Sequence, residues 1–424
     1  MKKYLLCLVA GAILGISGML AKDFSTAKVI KVSADADMEA SFDALAKSIL
    51  DAGEFVKTHR YYGSEREQVE AYRHLIRSLM WSLESRALQD RSFLFFQEMN
   101  PINKMGMDNS DQRYLIARLE GEAEYRIWGH RGSSRRLDFA IYEGLASTAA
   151  AFATLSTDDL AVNEDGSFEL FIGGEPRPQN WLPGPSGEAR LMTRQIFSDW
   201  ATEQPGQLHI DRIDAGRPPY PRMTRQLMAE RLRVATDFFA EEVRKWPEFQ
   251  RSRFDLLMPA NWLTPPQDTS KEGGLAGRWM VGGHFDLAED QALIITAWPS
   301  KAAYQGIQLG HPWWESIDYA HHQASLSVDQ ARLSSDGAYH FVISLKDPGV
   351  PNWLDPAGFH RGVILMRYDG MRSEIEPGQE PAAKLVTLAE LRQYLPADEP
   401  QVSSEERALE MTARRRHVQE RFGF

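Results

Sequence analysis

Six of the eleven histidines fall between His284 and His360, and the richest chemistry in the chain lies inside that window. His311-Pro312-Trp313-Trp314-Glu315 is followed closely by Asp318, Tyr319 and His321-His322. His311, Glu315 and Asp318 offer a base and an acid, Tyr319 a hydroxyl, and Arg361 a cation to neutralise a substrate carboxylate. Together they form a complement for general acid–base work. The Trp313-Trp314 pair, set between His311 and two acids, reads as the wall of a cleft. Continued as a strand, the segment would point Glu315 and Tyr319 to one side and Asp318 to the other.

The same residue types raise a metal reading. A cupin-like site wants two close histidines, a carboxylate and a distant histidine, and His321, His322, Glu315 and His340 or His360 contain those types. Neighbouring histidines on a strand face opposite ways, and no HExxH or HxH spacing occurs, so the reading assigns no metal and no cofactor. No Gly-x-Ser-x-Gly elbow is present. Gly273-Gly274 opens no phosphate-binding helix. Cys7, the only cysteine, lies near the N-terminus, so the rest of the chain has no thiol for a disulfide, a nucleophile or a metal site.

A second kind of signal is repetition. Leu155-Ser156, Asp158, Asp165-Gly166, Ile172, Pro176 and Asn180-Trp181-Leu182 recur as Leu326-Ser327, Asp329, Asp336-Gly337, Ile343, Pro348 and Asn352-Trp353-Leu354. The spacing is 171 residues, and 172 after one insertion before the proline. That period marks a duplicated, domain-sized module. Asn180, Trp181, Asn352 and Trp353 have two readings, a corner that locks each module or a stacking platform for a ligand ring. Asn261-Trp262-Leu263 repeats the tripeptide without the preceding Asp-Gly strand.

The elements that must hold these residues are legible from periodicity. Met38, Phe42, Leu45 and Ile49 predict a helix capped near Gly53. Ser64-x-x-Glu67 predicts a second, with Val69, Tyr72, Ile76, Leu79 and Leu83 on its buried face. From about Arg113 the period becomes two, with strands at Tyr114–Ala117, Tyr125–Trp128, Leu137–Tyr142, Phe168–Ile172 and Leu191–Phe197. After Pro218-Pro219-Tyr220-Pro221 a long helix carries Met228, Leu232, Ala235, Phe239, Val243 and Trp246. Pro265-Pro266 to Gly277 reads as a flexible connection. A second strand series follows through Trp279–Val281, Leu293–Ile295, Tyr339–Ile343 and Val363–Met366. Ser403-x-x-Glu406 opens the last helix, whose Arg414-Arg415-Arg416 reads as a solvated face. The expected divisions are 1–21, a leader; 22–105, helical; 106–217, a first β module; 218–250, a bridging helix; 251–380, a second β module; and 381–424, C-terminal helices.

A formal charge of −11 provides no basic footprint for nucleic acid. Lys2-Lys3 followed by an uncharged, largely apolar stretch to Leu20 reads as an export leader, cleaved after Ala21 or kept as an anchor, and as the only membrane contact.

Lys104-x-Gly106-x-Asp108-Asn109-x-Asp111-x-x-Tyr114, Tyr125-Arg126-Ile127-x-Gly129-x-Arg131-Gly132 and Asp347-Pro348-Gly349-Val350-Pro351-Asn352-Trp353-Leu354-Asp355-x-Ala357-Gly358 resemble the domain of unknown function 1214 (DUF1214) family over roughly residues 60–424. His360-Arg361-Gly362 and Arg367-Tyr368 fit its downstream pattern, while Pro356 stands where many members have Thr. The resemblance implies a jelly-roll-like β-sandwich and frequent export or membrane anchoring, with no settled activity. The expected fold is mainly β with helical additions (α+β): two related antiparallel sandwich modules, a helical N-terminal region, a bridging helix and a C-terminal helix. The expected function is an envelope protein that binds or processes a carbohydrate-like or ring-containing small molecule near the second module. The alternatives are a non-catalytic protein that binds a partner, for instance through the Met228–Trp246 stripe, and a lipid- or sterol-like ligand binder.

Overall fold

The computed structural model describes residues 37–144, 151–214, 216–270, 275 and 277–424. The expected leader and Gly273-Gly274 lie outside the described residues. Four α-helices occur among those described: α1 (Met38–Thr58), α2 (Glu65–Ser82), α3 (Arg225–Gln250) and α4 (Ser404–Phe422). None of them is long and apolar enough to cross a membrane.

The β strands form two modules of two sheets each. In the first, the large sheet contains β1 (Gln97–Met99), β2 (Gln112–Leu119), β4 (Arg136–Glu143), β5 (Ala151–Leu155) and β8 (Ala189–Ile196), in the order β1-β2-β8-β4-β5. Its small sheet contains β3 (Tyr125–His130), β6 (Ser167–Ile172), β7 (Trp181–Leu182) and β9 (Gln207–Arg212), in the order β7-β6-β3-β9. In the second module the large sheet holds β10 (Trp262–Leu263), β12 (Trp279–Asp286), β14 (Tyr304–His311), β15 (Glu315–Ser316) and β19 (Arg361–Asp369). Its order is β10-β12-β19-β14-β15, with β11 (Gln267–Asp268) on β12 and β16 (Ser325–Ser327) on β14. The small sheet holds β13 (Gln291–Ala297), β17 (Tyr339–Ser344), β18 (Trp353–Leu354) and β20 (Ala382–Thr387), in the order β18-β17-β13-β20. Strand for strand, β1-β2-β8-β4-β5 corresponds to β10-β12-β19-β14-β16 and β7-β6-β3-β9 to β18-β17-β13-β20, with β11 and β15 added in the second module. Even the register repeats, since Phe139 faces Leu155 across β4 and β5 as Ile307 faces Leu326 across β14 and β16. The fold is therefore the duplicated sandwich read from the repeat, with sheet strands reaching back to Gln97 and on to Thr387.

Each core sits between its two sheets. Leu115, Phe139 and Leu191 of the first large sheet meet Ile127, Leu170 and Ile210 of the small one. Val281, Ile307 and Ile364 meet Ile295, Phe341 and Leu354 in the second module. The strands of both large sheets are buried on both faces, because helices and the other module cover what would be the solvent side of an ordinary antiparallel sheet.

The repeated Asn-Trp-Leu is a clamp built twice. Trp181 and Trp353 open short strands that run parallel to β6 and β17. The Trp181 Nε1–H donates to Gly173 O at 2.9 Å, and that of Trp353 to Ser344 O at 3.0 Å. The Asn180 side chain accepts from Ala161 N at 2.8 Å and donates to Ala161 O at 2.7 Å, and Asn352 does the same to Arg332 at 2.8 and 2.8 Å. The locking reading describes the geometry of all four residues, and their polar atoms are spent on backbone. Asn261 makes the same two bonds, to Asp286.

Three helical expectations need correction. α1 runs through Gly53 to Thr58, and it buries Ser41, Leu45, Ser48, Ala52 and Val56 while Phe42 is exposed. α2 has its capping box at Ser64 but turns Glu70, His74 and Arg77 inward and leaves Val69, Tyr72 and Ile76 exposed. Buried ion pairs outweigh the apolar stripe there. In α4, Arg414 is buried and donates to Ser325 Oγ, so the basic run is not wholly solvated. The α3 stripe from Leu232 to Trp246 is buried, with Phe239 and Val243 packed against α1 and α2 side chains. That removes its use as a partner-binding face.

Candidate functional site

Residues that alternate with the core on the two large sheets face outward and line a common cavity of about 400 Å3. That volume lies in the range of small-molecule sites. The first module contributes Tyr114, Arg190, Met192 and Arg194, and the second contributes Met280, Leu365 and Arg367. The end of α3 and the π-helical turn after it, Arg251–Asp255, add Trp246, Phe249 and Phe254. Met99, Met105, Met107 and Met258 fill much of the remaining wall, and such side chains adapt to varied ligand shapes. Trp262, released from the clamp that Asn261 makes, stands 61% exposed at the cavity mouth.

The backbone is specialised around this space. Met107 and Trp314 both line it and both have positive φ, 55° and 62°. The Met107 N–H donates to Trp314 O at 2.7 Å, so each strained residue holds the other. Such non-glycine conformations cost on the order of 1–3 kcal/mol and concentrate at functional sites. Gly106 has φ 65°, and a Cβ there would lie 2.8 Å from the Trp246 ring. A Cβ on Gly282 would lie 2.7 Å from the Phe254 ring. Both glycines let an aromatic ring lie directly on the chain.

The segment that places Met107 also fastens the modules together. Lys104 Nζ donates to Ser316 O at 2.9 Å, and both Asp108 carboxylate oxygens accept from Ser316. Asp111 accepts from the Tyr304 hydroxyl at 2.6 Å, and Gln308 donates to Asp108 O at 2.8 Å. Arg421, in the last turn of α4, donates to Ser110 O at 2.5 Å. Burial pushes the Asp111 carboxyl up and pulls the Arg421 guanidinium down to about 10.

Of the expected acid–base residues only His311 and Glu315 come together, and Asp318, Tyr319 and Arg361 lie apart. Trp314 lines the cavity, but Trp313 is fully buried between Tyr61, His59 and His74, with its N–H donating to Glu67 O, so it is core and not a cleft wall. Only Glu315 and Ser316 form strand, and the chain turns after them. Glu315 and Tyr319 therefore do not share a face. Tyr319 packs with Phe197, Trp200 and Phe422 under α4. Asp318 pairs with the exposed His321 at 2.9 Å. Arg361 is paired with Glu67 at 2.5 Å and is not a free cation for a substrate.

Glu315 lies in a buried knot with α2. It accepts from His74 Nδ1 at 2.8 Å and from Arg77 Nη1 at 2.5 Å, and His311 Nε2 stands 3.5 Å away. Arg77 Nη1 is also 3.3 Å from Glu70, which pairs with Arg73 at 2.7 Å. Burial pushes the Glu315 carboxyl up, but Arg77, His311 and His74 outweigh it and hold it well below the usual carboxylate range. Among the described residues, Glu70, His311 and Glu315 are the group close enough to share a cation, within 4.8 Å. The Arg77 guanidinium already bonds to the same two carboxylate oxygens, so an organic cation takes that position. The other histidines lie apart, with His322 on Asp355, His340 on Asp336 and His360 on Leu287 O.

Sequence reasoning missed the arginines of the cavity. Arg190 and Arg194, four apart in a strand otherwise built for burial, were the visible signal.

Fold and cavity together define a duplicated β-sandwich protein with a ligand-sized space where its modules meet. Residues 117–197 match the family described as protein of unknown function (DUF1214), as the motifs led one to expect, over a shorter stretch than they span. A crystal structure of an uncharacterised protein from Burkholderia cenocepacia is similar at 28% identity with a TM-score of 0.74, covering 82% of this chain and 97% of that one. A Vibrio parahaemolyticus protein is 14% identical with a TM-score of 0.43, covering 75% of this chain and 98% of that one. No curated protein matches the chain.

Proposed function

We propose that this is an exported binding protein for an apolar or ring-containing small molecule, held in the cavity between the two modules. The observation that carries the reading is the cavity itself: about 400 Å3, walled by six aromatic side chains and six methionines, with two strained residues bonded across its edge. A sugar site would need side-chain acceptors for the sugar's hydroxyl donors. The carboxylate here, Asp108, is already engaged by Ser316, which favours an apolar ligand over a carbohydrate. Export rests on Lys2-Lys3 and the apolar run after it.

The test is titration of the purified chain with the neutral dye N-phenylnaphthylamine, followed by fluorescence. Saturable one-to-one binding is expected, abolished by Met192→Trp, which fills the space. Absence of saturable binding, or binding indifferent to that substitution, overturns the reading. N-terminal sequencing of the protein from cell fractions tests export.

A further inference from the structure

The charged groups around the cavity are unbalanced. Asp108 and five arginines line it. Three of the arginines have no buried donor without a partner: Arg278 bonds to Asp369, Arg367 donates to Met107 O at 2.9 Å, and Arg253 lies near the Phe249 ring. Arg194 and Arg190 are different. Arg194 is 5% exposed and donates one Nη2–H to the Tyr142 hydroxyl at 2.9 Å, while its Nε and Nη1 are buried without a partner. Arg190 Nε is likewise buried and unpartnered, and its guanidinium stands 4.9 Å from the centre of the Tyr142 ring. Neither has a carboxylate within ion-pair distance among the described residues. Burial lowers the Arg190 pKa from its ordinary value, although the group stays a cation at neutral pH.

Unmatched buried donors on a charged group are costly, and native structures seldom leave them without a use. A guanidinium presents a fork that fits a carboxylate with two parallel hydrogen bonds. The rest of the wall is rings and thioethers, suited to an apolar body. We propose that the cavity is built for an amphipathic organic acid, its carboxylate held between Arg190 and Arg194 and its apolar body lying against Trp246, Trp314 and the methionines. This rests on the cavity reading above and names the ligand class it takes.

The experiment is displacement of bound N-phenylnaphthylamine from the full chain by dodecanoate, dodecanol and dodecyl phosphate. Dodecanoate should bind at least about tenfold more tightly than dodecanol, the usual worth of a charge-assisted pair. In Arg190→Met and Arg194→Met that preference should fall to about one with dodecanol binding kept. Arg194→Lys, which keeps the charge but not the fork, should retain part of it. Each variant is checked by thermal melting, and Arg190→Met serves if Arg194→Met does not fold. Equal affinity for acid and alcohol, an acid preference that survives both substitutions, or a preference for the phosphate alone overturns the inference while leaving the cavity reading standing. Failure of the dye and all three ligands to bind overturns both.

Discussion

The duplicated clamp allows a stability measurement with its own control. Asn180 and Asn352 make the same two backbone hydrogen bonds at nearly the same distances. They differ in burial and backbone: Asn352 is 1% exposed, while Asn180 is half-buried and has φ 49°. Replacing either with Ala removes two hydrogen bonds, each worth about 1 kcal/mol net, and orphans a backbone N–H and C=O. At Asn180 water can reach the vacated groups, so the bonds account for about 2 kcal/mol, to which the left-handed backbone adds about 1 kcal/mol for Ala. At Asn352 the vacated space is closed off, so the desolvation cost is added to the bonds and the loss should reach about 3–5 kcal/mol. Equilibrium urea unfolding followed by circular dichroism reads both. The double variant should be additive within about 0.5 kcal/mol, since the clamps share no partner. A loss at Asn352 of no more than about 2 kcal/mol, the worth of the two bonds alone, would refute burial as the deciding variable.

Four further outcomes follow from the site. Trp314→Ala should weaken dye binding about tenfold, whereas Glu315→Gln, one residue on, should leave binding unchanged and destabilise the fold by about 2–3 kcal/mol by leaving Arg77 only the more distant Glu70; dye titration and urea melts separate the two. Gly106→Ala should cost about 1–3 kcal/mol, because it meets the Trp246 ring at a left-handed backbone position, and should weaken dye binding as that ring shifts. His417 is buried beside Arg421, and burial first, then that charge, lowers its pKa to about 3. The folded state thus refuses a proton the unfolded chain takes near pH 6.5. Stability from this group is present above that pH and is lost as pH falls toward 3, by about 3 kcal/mol at pH 4. His417→Gln should flatten that part of the pH–stability curve. Trp353→Phe should lose about 1 kcal/mol, the bond to Ser344 O, and its urea midpoint reads it.

Strand positions, the capping boxes and the duplication were legible because they are local or periodic. Phe168 to Ile172 alternates cleanly, its twin Tyr339 to Ile343 keeps an apolar residue at each matching core position, and a repeated turn needs the same residues each time. The helix faces were not. Val69, Tyr72 and Ile76 look like a core stripe until His74 and Arg77 find Glu315 from 238 to 241 residues away, in ion pairs no spacing announces. The site failed for a related reason. Trp313 and Trp314 are adjacent, and only the positive φ at Trp314 sends one ring into the helices and the other into the cavity. The cavity itself is made by outward positions of two sheets far apart in sequence, which neither sheet's own pattern can reveal.

The crossing of residues 104–111 onto β14 and β15 also bears on any attempt to dissect the chain. This strip leads directly into β2, yet its side chains are buttoned into Tyr304, Gln308 and Ser316 on the other sandwich. Severing the polypeptide at Pro218–Pro221 would leave one fragment carrying buttons and the other carrying empty buttonholes. Neither piece expressed alone should be well behaved, whereas the two produced together should re-associate. Copying one unit has here produced a single indivisible body instead of beads on a string.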